Sequence, residues 1–462
     1  MIQKKYMVLG LCVFLLVIIN QSPTPLNGKI EEESFKKPHT SSPDLLWHQS
    51  WDFGEEDSGK KLAVDSQGNI YIAGDYEASQ NDADGFIVKY TPSGDMLWSS
   101  SWNGSIADRF FDIAIDSKDN IYAAGWMVNN SNDVCLVKYA PNGTQLWNRT
   151  WGCLNNDRAW AMSIDGQDNI YLTGVYNETQ VFIGPDHFPV GSLLVLKYNS
   201  SGDITWSYLD SQWLCTMQGQ NIEVDTQGNV YVFGINFTKE VGTGRYIANY
   251  IHLKLNMSGH IKWRKTQGEM EGVQGVISEE NEIYVTSAYF AIDGTNYVRL
   301  KTYDTAGELI WETEMIFEEC NYSVRDITTD NAGKIFITGV YTDSIEAGNV
   351  FLLVYDLTTE KHSFTYWGGS GIEKGQGITI NTTERAVYIS GENWAPYDQG
   401  LVLKYSYDTD NAVHYISEGG GGSSSNNNDN TAVVLGYPII FLISALISGI
   451  ILIFRKQTKT IK

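Results

Sequence analysis

Apolar and polar positions alternate in short runs through the middle of the chain: Leu62 and Val64, then Ile70 and Ile72, then Phe86 and Val88, then Leu97. A period of two is that of a pleated strand, and the Asp, Gly, Asn and Pro residues between the runs are hairpin chemistry. The first unit therefore reads as four antiparallel strands, A to D, over residues 61–65, 69–74, 85–90 and 96–102. No helical pattern intrudes.

The unit recurs seven times. Its A-to-B turns run Asp65 to Asn69, Asp116 to Asn120, Asp165 to Asn169, Asp225 to Asn229, Ser278 to Asn281, Asp330 to Gly333 and Asn381 to Glu384. An aromatic follows each turn, at Tyr71, Tyr122, Tyr171, Tyr231, Tyr284, Phe336 and Tyr388, with spacings of 51, 49, 60, 53, 52 and 52 residues. Glycines keep step at Gly74, Gly125, Gly174, Gly234, Gly339 and Gly391, and Ser287 stands in the fifth copy. The C-to-D turns repeat as well, from Lys89 to Trp98, Lys138 to Trp147 and Lys197 to Trp206. A period of this length defines an architecture before any residue is read singly. Four-stranded units in a ring protect their sheet edges by closing on themselves. The fold expected is all-β, a seven-bladed β-propeller of four-stranded antiparallel blades over residues 45–416, plus a C-terminal transmembrane helix. Residues 45–51 look like a D strand and are expected to close the last blade, with residues 412–416 competing for the same slot.

These copies resemble the SBBP-type β-propeller repeat, whose unit carries an Asp, an apolar strand, Asp-x-x-Gly-Asn-x-Tyr, a glycine and Lys-x-x-x-x-Gly. Copies one to four match well, as in Asp108 to Asp116 running into Asn120, Ile121 and Tyr122. Copy five departs most, lacking the turn glycine and the glycine after the strand. The resemblance spans roughly residues 45 to 416 and implies a fold, not an activity.

The ends carry a different pattern. Residues 1–22 have signal-peptide proportions, with Lys4 and Lys5 before an apolar run from Met7 to Ile19. Residues 23–44 are polar and read as a disordered linker. Residues 432–454 carry no charge and are long enough for a transmembrane helix, and Arg455, Lys456, Lys459 and Lys462 make residues 455–462 a basic cytoplasmic tail. The Gly/Ser/Asn-rich residues 417–431 cannot bury a core and read as a stalk. The expectation is a single-pass type I protein of the cell membrane with an extracellular propeller.

Charge narrows the partners. The formal net charge is −23, and it is more negative still over the propeller because Lys4, Lys5 and the basic tail lie outside it. Such a surface repels phosphate backbones, which excludes nucleic acid. Cys12 belongs to the leader, leaving Cys135, Cys153, Cys215 and Cys320 as candidate disulfide cysteines, with three pairings open and simple core packing as the alternative. Asn-x-Ser/Thr triplets mark candidate glycosylation sites at Asn103, Asn129, Asn142, Asn148, Asn177, Asn199, Asn236, Asn256, Asn321 and Asn381.

The B-to-C and D-to-A connections vary in length and share one face of a propeller, and variable loops on a rigid scaffold are where specificity resides. Trp126, Tyr176, Phe237, Tyr289, Tyr341 and Trp394 follow the B strands there, as candidates for stacking on sugars or gripping a protein, with blade-to-blade packing as the competing reading. Asp57, Asp108, Asp157 and Glu373 precede the A strands, where they could form a collar for calcium or cap the entering loop. No cofactor is otherwise indicated. The seven histidines show no metal-ligand spacing and no Gly-x-Ser-x-Gly elbow is present. The function expected is therefore a non-catalytic binding or scaffold module for an extracellular glycan or protein. Beside it stand a propeller hydrolase or lyase acting on surface polysaccharide, and a purely structural surface-layer or adhesion component.

Overall fold

A computed structural model describes residues 43–407 apart from 55, 80–81, 184–185, 213–214, 240–245, 268–270, 291–295, 318–320, 343–347, 369–371, 395–398. The signal segment, the stalk, the uncharged segment 432–454, the basic tail, residues 412–416 and Cys320 lie outside the described residues. Among the described residues every regular element is a β-strand, and no helix is long and apolar enough to cross a membrane.

Each repeat folds as the alternation requires, its four strands pairing antiparallel in the order A, B, C, D. Five sheets have four strands, and one has eight. The expectation of seven separate sheets is corrected on this point: a parallel bridge between Gly191 and Thr216 joins the third and fourth units into one hydrogen-bonded sheet. Strand Leu45–Trp51 lies antiparallel on Gln399–Ser406, with Trp51 opposite Gly400 and Trp47 opposite Lys404. The N-terminus thus supplies the outer strand of the last unit. The A strands of successive repeats lie against one another, and that of the first repeat lies against that of the last, so the β-propeller closes. Its core lies between neighbouring sheets, as where Tyr71, Ala73 and Ile87 of the first pack on Phe110, Ile113 and Ala123 of the second.

The repeated motif residues hold the lower rim. Asp65 Oδ1 accepts from the backbone N–H of Gln67 and Asn69 at 2.9 and 2.8 Å, and Oδ2 accepts from Asn69 Nδ2 and Tyr71 Oη at 2.8 and 3.1 Å. Burial alone would raise the Asp65 carboxyl, but these hydrogen bonds from Asn69, Gln67 and Tyr71 outweigh it and hold it below the usual carboxylate range. Lys89 completes the node, 4.6 Å above the Tyr71 ring. The turn glycine has two acidic substitutes: Asp119 and Asp168, at φ of 60° and 61°, reach back to the preceding repeat. Asp119 accepts from Ser66 N and Oγ at 3.0 and 2.7 Å, and Asp168 from Ser117 N and Oγ at 2.9 Å each. The tryptophans that end the C-to-D motif also bridge repeats, with Trp206 Nε1 donating to Met257 O at 3.1 Å.

Candidate functional site

A recurrent backbone irregularity builds the site. In six repeats the A-to-B register slips at one place on the inner strand, between Gly59 and Lys61, Phe110 and Asp112, Ala159 and Ala161, Gly219 and Asn221, Val324 and Asp326, and Gly375 and Gly377. The residue skipped by the ladder is a β-bulge, which bends the strand and re-aims its side chain. These residues are Lys60, Phe111, Trp160, Gln220, Arg325 and Gln376, none of them fully buried. The bulge also explains the repeated glycine on strand B. A Cβ on Gly125 would stand 1.9 Å from the Arg109 carbonyl oxygen, and one on Gly74 1.9 Å from that of Ser58. In the fifth repeat the register shifts by the same one residue, between Glu271 and Gln274, with Ser287 at the place of the glycine.

Around the bulge residues the structure gathers cations on aromatic planes. Lys60 Nζ donates to Ser58 Oγ at 2.8 Å, lies 3.3 Å from Asp75 and stands 5.9 Å from the Phe111 ring centre. Phe111 meets Trp160 edge to face at 4.7 Å and lies 6.5 Å from Trp126. The guanidinium groups of Arg109 and Arg158 each lie 5.8 Å from the Trp126 ring, so one indole serves two cations. Both are held in place. Arg109 pairs with Asp75 and, at 3.6 Å, with Glu77, while Arg158 pairs with Glu178 at 2.8 Å and donates from Nε and Nη2 to the Asn132 amide oxygen at 2.7 Å each. In the last repeat Lys374 lies 2.8 Å from Glu392 and 3.9 Å above the Trp394 ring. Burial would raise the Glu392 carboxyl, but Lys374, Lys60 and Ser58 outweigh it and hold it below the usual range. On a chain with a formal charge of −23, this mouth brings together Lys60, Arg109, Arg158 and Lys374, each paired with an acid from among Asp75, Glu77, Glu178 and Glu392, and Arg325 holds the equivalent bulge of the sixth repeat.

Further along the A strands is a second group of charges. Asp112 Oδ2 accepts from Met162 N at 2.7 Å and Asp326 Oδ2 from Ile378 N at 2.8 Å, each tying its strand to the next repeat, and Lys61 pairs with Asp326. Burial pushes Asp112 up to about 6 against the pull of Lys61 and its backbone donors. Burial, with Asp112 and Asp326 adding to it, pushes Glu223 up to about 8. The raised carboxyl binds its proton more readily folded than unfolded. Its contribution to stability is complete below the ordinary value of 4.5 and is lost as pH rises through about 8. Glu223→Gln should therefore match the wild type in urea unfolding near pH 4.5 and exceed it near pH 9, on the order of 1 kcal/mol. An equal difference at both pH values would show that Glu223 is not charged at a cost.

The sequence-derived candidates divide. Trp126 and Trp394 belong to the mouth. Tyr176 instead packs on Trp151 at 5.3 Å, and Tyr341 is buried, 4% exposed, against Tyr322 and Tyr366 at 5.3 and 5.5 Å. Tyr289 pairs with Tyr297 across its hairpin. The acids Asp57, Asp108, Asp157 and Glu373 are buried in four different repeats and are not brought together. Asp57 accepts from Phe53 N at 2.6 Å, Asp108 from Gly104 N and Ser105 N at 2.6 and 2.8 Å, and Asp157 from Cys153 N and Asn177 N at 2.6 and 2.7 Å. Those three carboxylates cap their own loops, and burial pushes Asp57 up to about 6. Among the described residues no group of three or more His, Cys, Asp or Glu could hold a metal ion. Cys135, Cys153 and Cys215 are free thiols, the first and last buried in the core, so no disulfide joins any two of them. Of the ten sequon asparagines, Asn236 is 5% exposed with its amide 3.0 Å from Gln212, and does not present itself for modification. Lys60, Arg109, Arg158, Arg325 and Lys374 escaped the sequence reading. Their signal was a pair of columns that change chemistry from copy to copy on either side of one that stays small or apolar, at Gly59, Phe110, Ala159, Gly219, Val324 and Gly375.

The beta-propeller repeat family SBBP matches residues 54–75. No curated protein matches the chain. Among solved structures the fold is similar to that of the polysaccharide lyase Uly1, at 10% identity and a TM-score of 0.46, over 82% of this chain and 94% of that one. It is similar also to a PL25 ulvanlyase, at 11% identity and 0.45, over 67% and 79%, and to Sqt1 from Chaetomium thermophilum, at 11% and 0.44, over 79% and 100%. The expectation of a non-catalytic binding or scaffold module is corrected here, because two of these similar folds are polysaccharide lyases. At these identities the likeness is one of fold, and roles come from this chain's own residues.

Proposed function

We propose that the chain is a carbohydrate-active β-propeller that cleaves an acidic polysaccharide at the mouth of its inner strands, by β-elimination. The observation that carries this reading is the row of cations on aromatic planes, in a protein otherwise strongly acidic. Aromatic faces stack on sugar rings, and fixed ammonium and guanidinium groups match carboxylate charge. A uronate carboxylate held by Lys60 and its neighbouring guanidinium groups loses electron density, which acidifies the adjacent ring C–H. Asp75, 3.3 Å from Lys60, is the carboxylate proposed to accept that proton. As it leaves, the ring double bond forms, the glycosidic C–O bond on the next carbon breaks, and solvent protonates the departing oxygen.

The repeat count supports seven blades, the eight-stranded sheet being two four-stranded units joined by the Gly191–Thr216 bridge. The apolar N-terminal run and the uncharged run 432–454 support an extracellular propeller, where such polymers are found. The test is to incubate the purified protein with uronate-containing polysaccharides while following ultraviolet absorbance and reducing ends together. Elimination raises both. Reducing ends without absorbance would mean hydrolysis, and no change in either would overturn the reading.

A further inference from the structure

We infer that the mouth is an open cleft that takes the polymer lengthwise, with Trp394 as a remote stacking subsite, so that cleavage falls within the chain and not at its end. This rests on the reading that the mouth cleaves an acidic polysaccharide. Its ground is the continuity of the row from the last repeat into the third. Trp394 carries Lys374 at 3.9 Å, Lys374 pairs with Glu392 at 2.8 Å, and Ser390, on the same strand as Glu392, donates to Lys60 O at 3.4 Å. Lys60 then stands on Phe111, and Phe111 meets Trp160. Packed sheets stand roughly 10 Å apart, so a row touching four of them is longer than one sugar ring.

The two ends of the row are alike in chemistry. Trp160 closes one end and Trp394 the other, with the charged residues between them. Trp394 is 46% exposed and belongs to none of the buried core clusters, while its backbone is fixed by donation to Ile372 O at 3.0 Å. Of the tryptophan and phenylalanine side chains exposed among the described residues, Trp394 and Phe182, only Trp394 adjoins the mouth. An indole held flat beneath a lysine and left open to solvent is a platform for a sugar that is not the one being cleaved. A stacking contact of this kind, about 0.5–1.5 kcal/mol, reaches roughly tenfold in affinity.

The experiment uses the full chain and a uronate polymer, with viscosity and ultraviolet absorbance recorded together. Internal cleavage is expected to collapse viscosity while few bonds are broken, with intermediate oligosaccharides appearing first. Trp394→Ala should raise KM on the order of tenfold for the polymer and less for a trimer of the same sugar. Trp394→Tyr should recover most of the loss, which a merely structural role would not require. Viscosity falling in step with bond breakage, with the smallest products appearing first, overturns the inference and leaves the proposed activity standing. An equal rise in KM for polymer and trimer also overturns it. Absence of cleavage by the wild type overturns the activity itself and the inference with it.

Discussion

Replacing Lys60 by methionine is expected to lower kcat/KM for a uronate polymer on the order of a hundredfold, the cost of leaving a bound carboxylate without its charged partner. Lys60 is the bulge residue at the centre of the row, with Ser58 and Asp75 fixing its ammonium and Phe111 beneath it. Because the bulge takes it out of the strand ladder and leaves it partly exposed, its loss should shift the melting temperature by less than about 2 °C. Asp75 keeps Arg109 as a partner. Lys60→Arg should retain more activity than Lys60→Met, since charge and not shape is the requirement. Unchanged kcat/KM in the methionine variant would reduce Lys60 to a counter-ion for Asp75.

Alongside the equivalent changes at Gly74, Gly174 and Gly339, Gly125→Ala is expected to be among the most damaging single methyl additions in the scaffold. Its Cβ would stand 1.9 Å from Arg109 O and 2.9 Å from Arg109 C, and these are backbone atoms that cannot swing aside. Relief requires flattening the bulge at Phe111, which also displaces the side chain that Trp160 packs on. Overpacking of this severity costs about 3 kcal/mol, a fall in melting temperature on the order of 4 °C for a domain of this size. Gly166→Ala is the matched control, since nothing lies within 4 Å of the added methyl, and it should leave the melting temperature within about 2 °C of the wild type. A thermal melt of the three proteins decides it, and equal stability of Gly125→Ala and Gly166→Ala would refute the link between glycine and bulge.

The architecture was legible because it is written locally. Alternating apolar residues, Asp-x-x-Gly-Asn turns and the stray D-like strand at residues 45–51 each report on a few neighbours, and the structure pairs them accordingly. The sheet count was not legible, since the Gly191–Thr216 bridge depends on the long third hairpin bringing its C strand beside the fourth repeat. The site was only half legible. Trp126 and Trp394 stood out as aromatics after strand B, but the same rule also picked Tyr341, whose ring is buried against Tyr322 and Tyr366. A bulge inserts one residue into a period of two, so Lys60, Phe111 and Trp160 fall out of step with the alternation. The four acids before the A strands illustrate the converse: a recurrent polar residue whose position suggested a shared ion, while Asp57, Asp108 and Asp157 each bond the backbone of their own loop.

The most direct test compares one uronate polymer with its carboxyl-reduced, neutral counterpart under identical conditions, following ultraviolet absorbance and chain length. If the cation row at the inner-strand mouth acts on acidic polysaccharide, the uronate polymer gains absorbance and shortens, and the reduced polymer does neither. Equal cleavage of both, or cleavage of neither, would contradict it.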